Sequence, residues 1–475
     1  MSSFRKHMPR PARLLLTAIL IYAFFWLKGW PRYYDDEELP PSKRRSQDTP
    51  LGPHTVEHDQ LVVSITTTAN NIHTKIAPLI LNTANEDHGT LLLFSDLQTA
   101  VGKWPIFDVI WRYGQRFIHD TDGLERYRAQ VDYAQRSIPT IQLKKDNIEE
   151  EKEAMVMLDK YKILQTMAAA WEYRPDRSWY VFAWDDTYIN RPNLVDWLSQ
   201  HDSAESHFFG NPPTPATYMV HNPFAAGGNS FILSRNVMKE LFEVRKHLIR
   251  DWGKQIANYT YAFDFVSSML QEELQLEFKS VWPGISGFDP TNIPFMPALW
   301  CEPVLILHQV APDILNHLFK MEMEQPHDLI SIRFADVFYR FMAPENLNYT
   351  RDDWDNLSSE SSNSRWNILF EGAGDKPGTT NRAQSGEASP EACKEACFGS
   401  KYCVQWSYSS IPMTNWNENR ETKCHLSSSM RFGMHIDRQK WQVKDEIKVL
   451  TWKSGWNKDK FMAWANHQRC KEVHQ

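Results

Sequence analysis

Leu61–Thr68 is an unbroken run of apolar and β-branched residues, the pattern of a strand buried on both faces. Leu91–Asp96 repeats it and ends on an acid. Over residues 147–173 the period changes. Met157, Tyr161, Leu164, Ala168 and Trp171 recur at alternating steps of four and three, which predicts a helix with one buried stripe. Asn147 suits its N-cap, and Glu149–Glu151 suit the positive end of its dipole. Trp179–Ala183 is a third buried run. Strand and helix alternating at this interval predict an α/β fold with a mostly parallel sheet. Ligands of such sheets sit beyond the carboxyl ends of the strands. Asp96 and the pair Asp185–Asp186 fall there. Further on, Phe231–Leu233 reads as a strand leading into a helix near Arg235. Pro303–Leu307 is an apolar run ending at His308.

The chain has 475 residues, 42% hydrophobic and 23% charged, which excludes a mainly disordered or collagen-like protein. A net charge of −7 argues against a general nucleic-acid binder. Six cysteines are too few for a disulfide scaffold but enough for two or three bridges in an oxidising compartment. The N-terminus points to such a compartment. Arg5, Lys6, Arg10 and Arg13 precede the uncharged run Leu14–Leu27, and no small-x-small cleavage site follows it. The expectation is a cytoplasmic tail (1–13), a signal anchor (14–30), a Pro- and charge-rich stem (31–58) and a lumenal body. Asn258, Asn348 and Asn356 begin N-glycosylation sequons. Residues 371–390, rich in Gly, Ser, Pro and Thr, read as a linker or long loop.

Asp185–Asp186 after a buried strand can hold a hard divalent cation, Mn²⁺ or Mg²⁺, able to neutralise a diphosphate leaving group. The plain alternative is a solvated turn. Gly227–Gly228 allow close backbone approach to a ligand, or simply a tight turn. Asp264, set among aromatics, suits a general base, or a helix first-turn acid. His308 is either a metal ligand or a structural hydrogen bonder.

The order of these pieces carries a resemblance. Strand and Asp96, Trp179–Ile189, Asn193–Leu198, Phe209–Pro212, Ala226–Arg235, Trp300–Pro303 and His308 together resemble the fringe-like glycosyltransferases, in particular their fungal relatives, over roughly residues 60–320. The resemblance implies a GT-A fold over 59–320, a nucleotide-sugar donor and Mn²⁺. It also implies inverting transfer to a glycan or glycoprotein hydroxyl through a β-1,3 linkage, in the Golgi membrane. Position by position, Asp186 and His308 match the metal ligands, Asp185 and Asp96 the donor side, Gly227 and Gly228 the acceptor-side loop, and Asp264 the acceptor-activating acid. Trp184 stands where the family usually has an acid, and Ser268 where a glycine often follows.

After a connecting segment (321–364), the cysteines of residues 365–475 resemble a PAN/apple module, a small disulfide-linked α+β domain. That resemblance implies the bridges Cys393–Cys424 and Cys397–Cys403, and leaves Cys301 and Cys470 to pair across domains. Zinc is the rival use of such a cluster, but paired C-x-x-C halves are missing. The competing function is a non-catalytic lumenal protein that binds carbohydrate or protein on a degenerate glycosyltransferase fold. A glycoside hydrolase is disfavoured because no second acid is better placed than Asp264.

Overall fold

A computed structural model describes residues 56–470, apart from 144, 146, 212–229, 298, 325–331, 343–346, 359–367, 372–385, 411–421, 444–445 and 469. The expected tail, anchor and most of the stem lie outside the described residues, as do Gly227, Gly228 and most of the 371–390 linker. Among the described residues no helix is long and apolar enough to cross a membrane.

The first ten strands are Leu61–Thr66 (β1), Leu91–Ser95 (β2), Thr99–Val101 (β3), Trp104–Asp108 (β4), Trp179–Trp184 (β5), Tyr188–Ile189 (β6), Phe208–Gly210 (β7), Phe231–Ser234 (β8), Ile285–Ser286 (β9) and Ile306–Leu307 (β10). Seven of them form one sheet in the order β3-β4-β2-β1-β5-β8-β7. Strands β4, β2, β1 and β5 are mutually parallel, while β3 and β8 run against them and β7 against β8. The expected mostly parallel α/β sheet, consistent with GT-A, is therefore present. Strands β6, β10 and β9 make a small second sheet.

Both faces of the main sheet are covered, which is why β1, β2 and β5 are buried at every position. Val62, Phe94, Tyr180 and Phe182 face one core, shared with the long helix Ile148–Tyr173. Val63, Ile65, Leu93 and Val181 face the other, built largely from residues 281–347. The single stripe expected on the long helix is corrected here. Met157 is 42% exposed, whereas all of residues 160–171 are buried. The helices Leu248–Gly253 and Ala262–Leu274 pack on the side of the long helix away from the sheet, so it has no solvated face there.

The C-terminal region is an antiparallel sheet that includes Gln405–Ser410, Thr422–Ser427 and Glu446–Trp456, with the helix Pro390–Phe398 on it. Ser389 caps that helix by accepting from the Ala392 N–H at 3.1 Å. Disulfides Cys393–Cys424 and Cys397–Cys403 tie the helix to the sheet, and Cys301–Cys470 ties the C-terminus to the main domain. Two expectations change. Thr350–Asp352 pairs with Glu446–Trp456, so the second sheet already begins inside the segment expected to be a connector. Asn356 is fully buried, and its amide nitrogen donates to the carbonyls of Trp406 and Gly455 at 3.0 and 3.2 Å. The folded chain has no room for a glycan on that atom, while Asn258 and Asn348 are exposed. The two regions share one core: Trp300 meets Trp464 and Phe461 with ring centroids 5.2 and 5.9 Å apart.

Candidate active site

Register gathers the site. Thr66 of β1 lies opposite both Phe94 and Trp184, so the three parallel strands end level. The residues that follow them, Thr67–Asn71, Asp96 and Asp185–Asp186, emerge together at one sheet edge. The small sheet delivers His308: Leu307 pairs with Tyr188, and the Val310 N–H donates to the Asp186 carbonyl at 2.8 Å. A cleft of about 410 Å³ opens between these groups and the start of the long helix.

Asp186 and His308, 122 positions apart in sequence, come together: His308 Nδ1 lies 3.1 Å from Asp186 Oδ1. The Thr187 hydroxyl is 3.3 Å from the same nitrogen. The approach to Asp186 suits an ion pair but is not aligned as a hydrogen bond, and this buried carboxylate oxygen has no hydrogen-bond partner. An orphaned carboxylate oxygen beside an imidazole nitrogen fits a divalent cation held by one oxygen and one nitrogen. Trp184 supplies no further ligand. Among the described residues no group of three or more His, Cys, Asp or Glu side chains is arranged to hold a metal.

Asp185 is buried and engaged on both oxygens. It accepts from the Thr67 hydroxyl at 2.6 Å and from Lys75 Nζ at 3.0 Å. Burial works against the charge on Lys75, but Asp185 and Asp186 outweigh it and raise the ammonium's pKa. Asp96 differs from the expected donor contact. It is wholly buried, with Oδ1 accepting from the Ala69 N–H at 2.7 Å and Oδ2 from Lys162 Nζ at 3.2 Å. Its carboxylate fixes the turn after β1 instead of facing the cleft.

Lys162 escaped the sequence reading. It is 0% exposed, and its ammonium lies 2.8 Å from the Thr67 carbonyl, 3.2 Å from Asp96 and 2.5 Å from Asp159. Burial disfavours this charge, but Asp159 and Asp96 overcome that and raise its pKa, so the lysine stays protonated. The only sequence signal was a lysine inside the otherwise apolar stretch Leu158–Trp171. Thr68 and Asn70 were missed as well. Thr68 Oγ1 and Asn70 Oδ1 are buried, line the cleft and have no hydrogen-bond partner. Unmet polar atoms cost about 1–3 kcal/mol each, a cost that a ligand's own polar groups remove.

Asp264 sits half-buried in the first turn of Ala262–Leu274 and does not line the cleft. Phe231 pairs with both Phe182 and Gly210, and Phe263 lies so close to Gly210 that a Cβ there would come within 3.1 Å of its ring. The helix start that carries Asp264 is thus at the same end of the sheet as Asp185–Asp186.

Residues 125–263 match a family model described as Fringe-like. The matched span holds the long helix, β5, Asp185, Asp186, β7 and β8. It ends at Phe263, next to Asp264, and does not reach His308 or β1. The match supports a fringe-like glycosyltransferase family and a glycosyltransferase-type function for this chain. No curated protein matches the chain.

Proposed function

We propose that this chain is an inverting glycosyltransferase that moves a sugar from a nucleotide-sugar donor to a glycan or glycoprotein hydroxyl, forming a β-1,3 linkage. The observation that carries the reading is the meeting of Asp186 and His308 in a polar cleft at the strand ends, inside and beside a Fringe-like match. Asp186 and His308 would hold the divalent cation, Mn²⁺ or a similar ion, which supplies charge neutralisation to the diphosphate when bound. Thr68 and Asn70 offer a hydroxyl and an amide oxygen to the nucleoside portion. Asp264 takes the proton of the acceptor hydroxyl. That oxygen bonds to the anomeric carbon as the carbon–diphosphate oxygen bond breaks, its electron pair leaving on the diphosphate. Gly227 and Gly228 belong to the acceptor side of this proposal. The C-terminal region, proposed as a PAN/apple-like module, presents the acceptor. An anchor at 14–30 places the whole in the Golgi lumen.

Full-length protein in detergent, given Mn²⁺ and a panel of nucleotide sugars, should hydrolyse or transfer one of them. Asp186→Ala should lower that rate by about a hundredfold or more. Absence of binding and turnover with every donor refutes the proposal. Trp184, apolar where another acid would stand, favours a second reading: a non-catalytic glycan- or protein-binding protein. That reading predicts binding that survives chelation and the Asp186→Ala change.

A further inference from the structure

We propose that Lys75 is the diphosphate-binding residue of the cleft, exchanging its ion pair with Asp185 for the phosphate oxygens of the donor. The inference rests on the glycosyltransferase reading and names a residue that this reading does not use. Four acids line the cleft: Glu151, Asp159, Asp185 and Asp186. Three of them already have a cation. Arg126 holds Glu151 through two hydrogen bonds of 2.8 Å, and Lys162 lies against Asp159 with no exposure. Neither cation can turn to a ligand without leaving a buried acid bare.

Lys75 is different on three counts. Its side chain is 29% exposed and lines the cleft. Its ammonium makes one hydrogen bond, to Asp185, out of the three it can donate. Asp185 keeps a partner when Lys75 leaves, because the Thr67 hydroxyl still donates to its other oxygen at 2.6 Å. Apart from His308, Lys75 is the one lining side chain among the described residues that carries positive charge. It follows the turn that bears the unpartnered Thr68 hydroxyl and Asn70 oxygen. Nucleoside recognition and charge neutralisation then come from one short segment. When the carbon–oxygen bond breaks, the electron pair settles on the diphosphate, and the ammonium is placed to compensate it.

Calorimetric titration of the full chain tests this, using UDP, GDP, inorganic pyrophosphate and the parent nucleosides, with Mn²⁺ and with chelator. Lys75→Met should weaken diphosphate binding by about 10–100-fold and leave nucleoside binding within about threefold. Lys75→Arg should retain most of the diphosphate affinity, which also controls for folding. Equal diphosphate affinity in wild type and Lys75→Met overturns the proposal, as does an equal loss for nucleosides and diphosphates. If wild-type protein binds no nucleotide in either condition, the glycosyltransferase reading itself fails, an outcome distinct from the failure of Lys75 alone.

Discussion

The strand-end cleft and the C-terminal disulfide region treat buried polar groups in opposite ways. Around Asn356 the C-terminal region closes its own account: the Asn356 amide donates to two carbonyls, and the Gln405 amide donates to the Asn356 carbonyl at 2.9 Å. These bonds join strands that lie far apart in sequence, beside two disulfides. In the cleft, by contrast, Thr68, Asn70 and Asp186 keep buried oxygens with no partner. Beneath them lies a saturated layer, Lys162 with Asp96, Asp159 and the Thr67 carbonyl. A region that satisfies itself is built to hold shape. A region that holds unmet groups on a satisfied base is built to receive something.

Three substitutions break or sharpen this contrast. The largest effect is expected for Lys162→Met, which strands Asp96 and Asp159 without their cation. Stability in urea should fall by about 3–5 kcal/mol, or folded protein should be lost. A change below about 1 kcal/mol would show that the layer under the cleft holds nothing in place. Next comes Asn356→Ala, which leaves two buried carbonyls without a donor. A loss of about 1–3 kcal/mol is expected in the same assay, with nucleotide binding in the cleft unchanged. The smallest effect on stability belongs to Thr68→Val, which removes a hydroxyl that nothing satisfies. Stability should stay level or rise slightly, while nucleotide affinity falls. Marked destabilisation by Thr68→Val would place that hydroxyl with the structural groups and remove the distinction.

Much of the main domain was legible along the chain. The apolar runs at 61–68, 91–96 and 179–183 became β1, β2 and β5, because a strand buried on both faces has no polar positions to hide it. The long helix was found by period, but its stripe was misjudged because Met157 extends past the region where neighbouring helices cover it. Asp186 and His308 were singled out by residue type and position. Asp96 was singled out equally well and proved to be committed inward, since sequence shows which acid follows a strand but not where its oxygens point. Asn356 carried the sequon pattern yet lies sealed between strands, because a three-residue pattern says nothing of burial.

Taken by itself, the sequence determined the layering, the order of the central strands' residues and the acids at their ends. These follow from local alternation and composition, which need no knowledge of neighbours. Tertiary structure alone decided which polar groups are spent and which are available. Lys162 and Lys75 are the same residue type, yet one is locked by three acceptors and the other holds a single one. That difference arises from contacts across 66 to 110 positions of chain, and the strength of a buried charge depends on partners and solvent access that only the folded chain supplies.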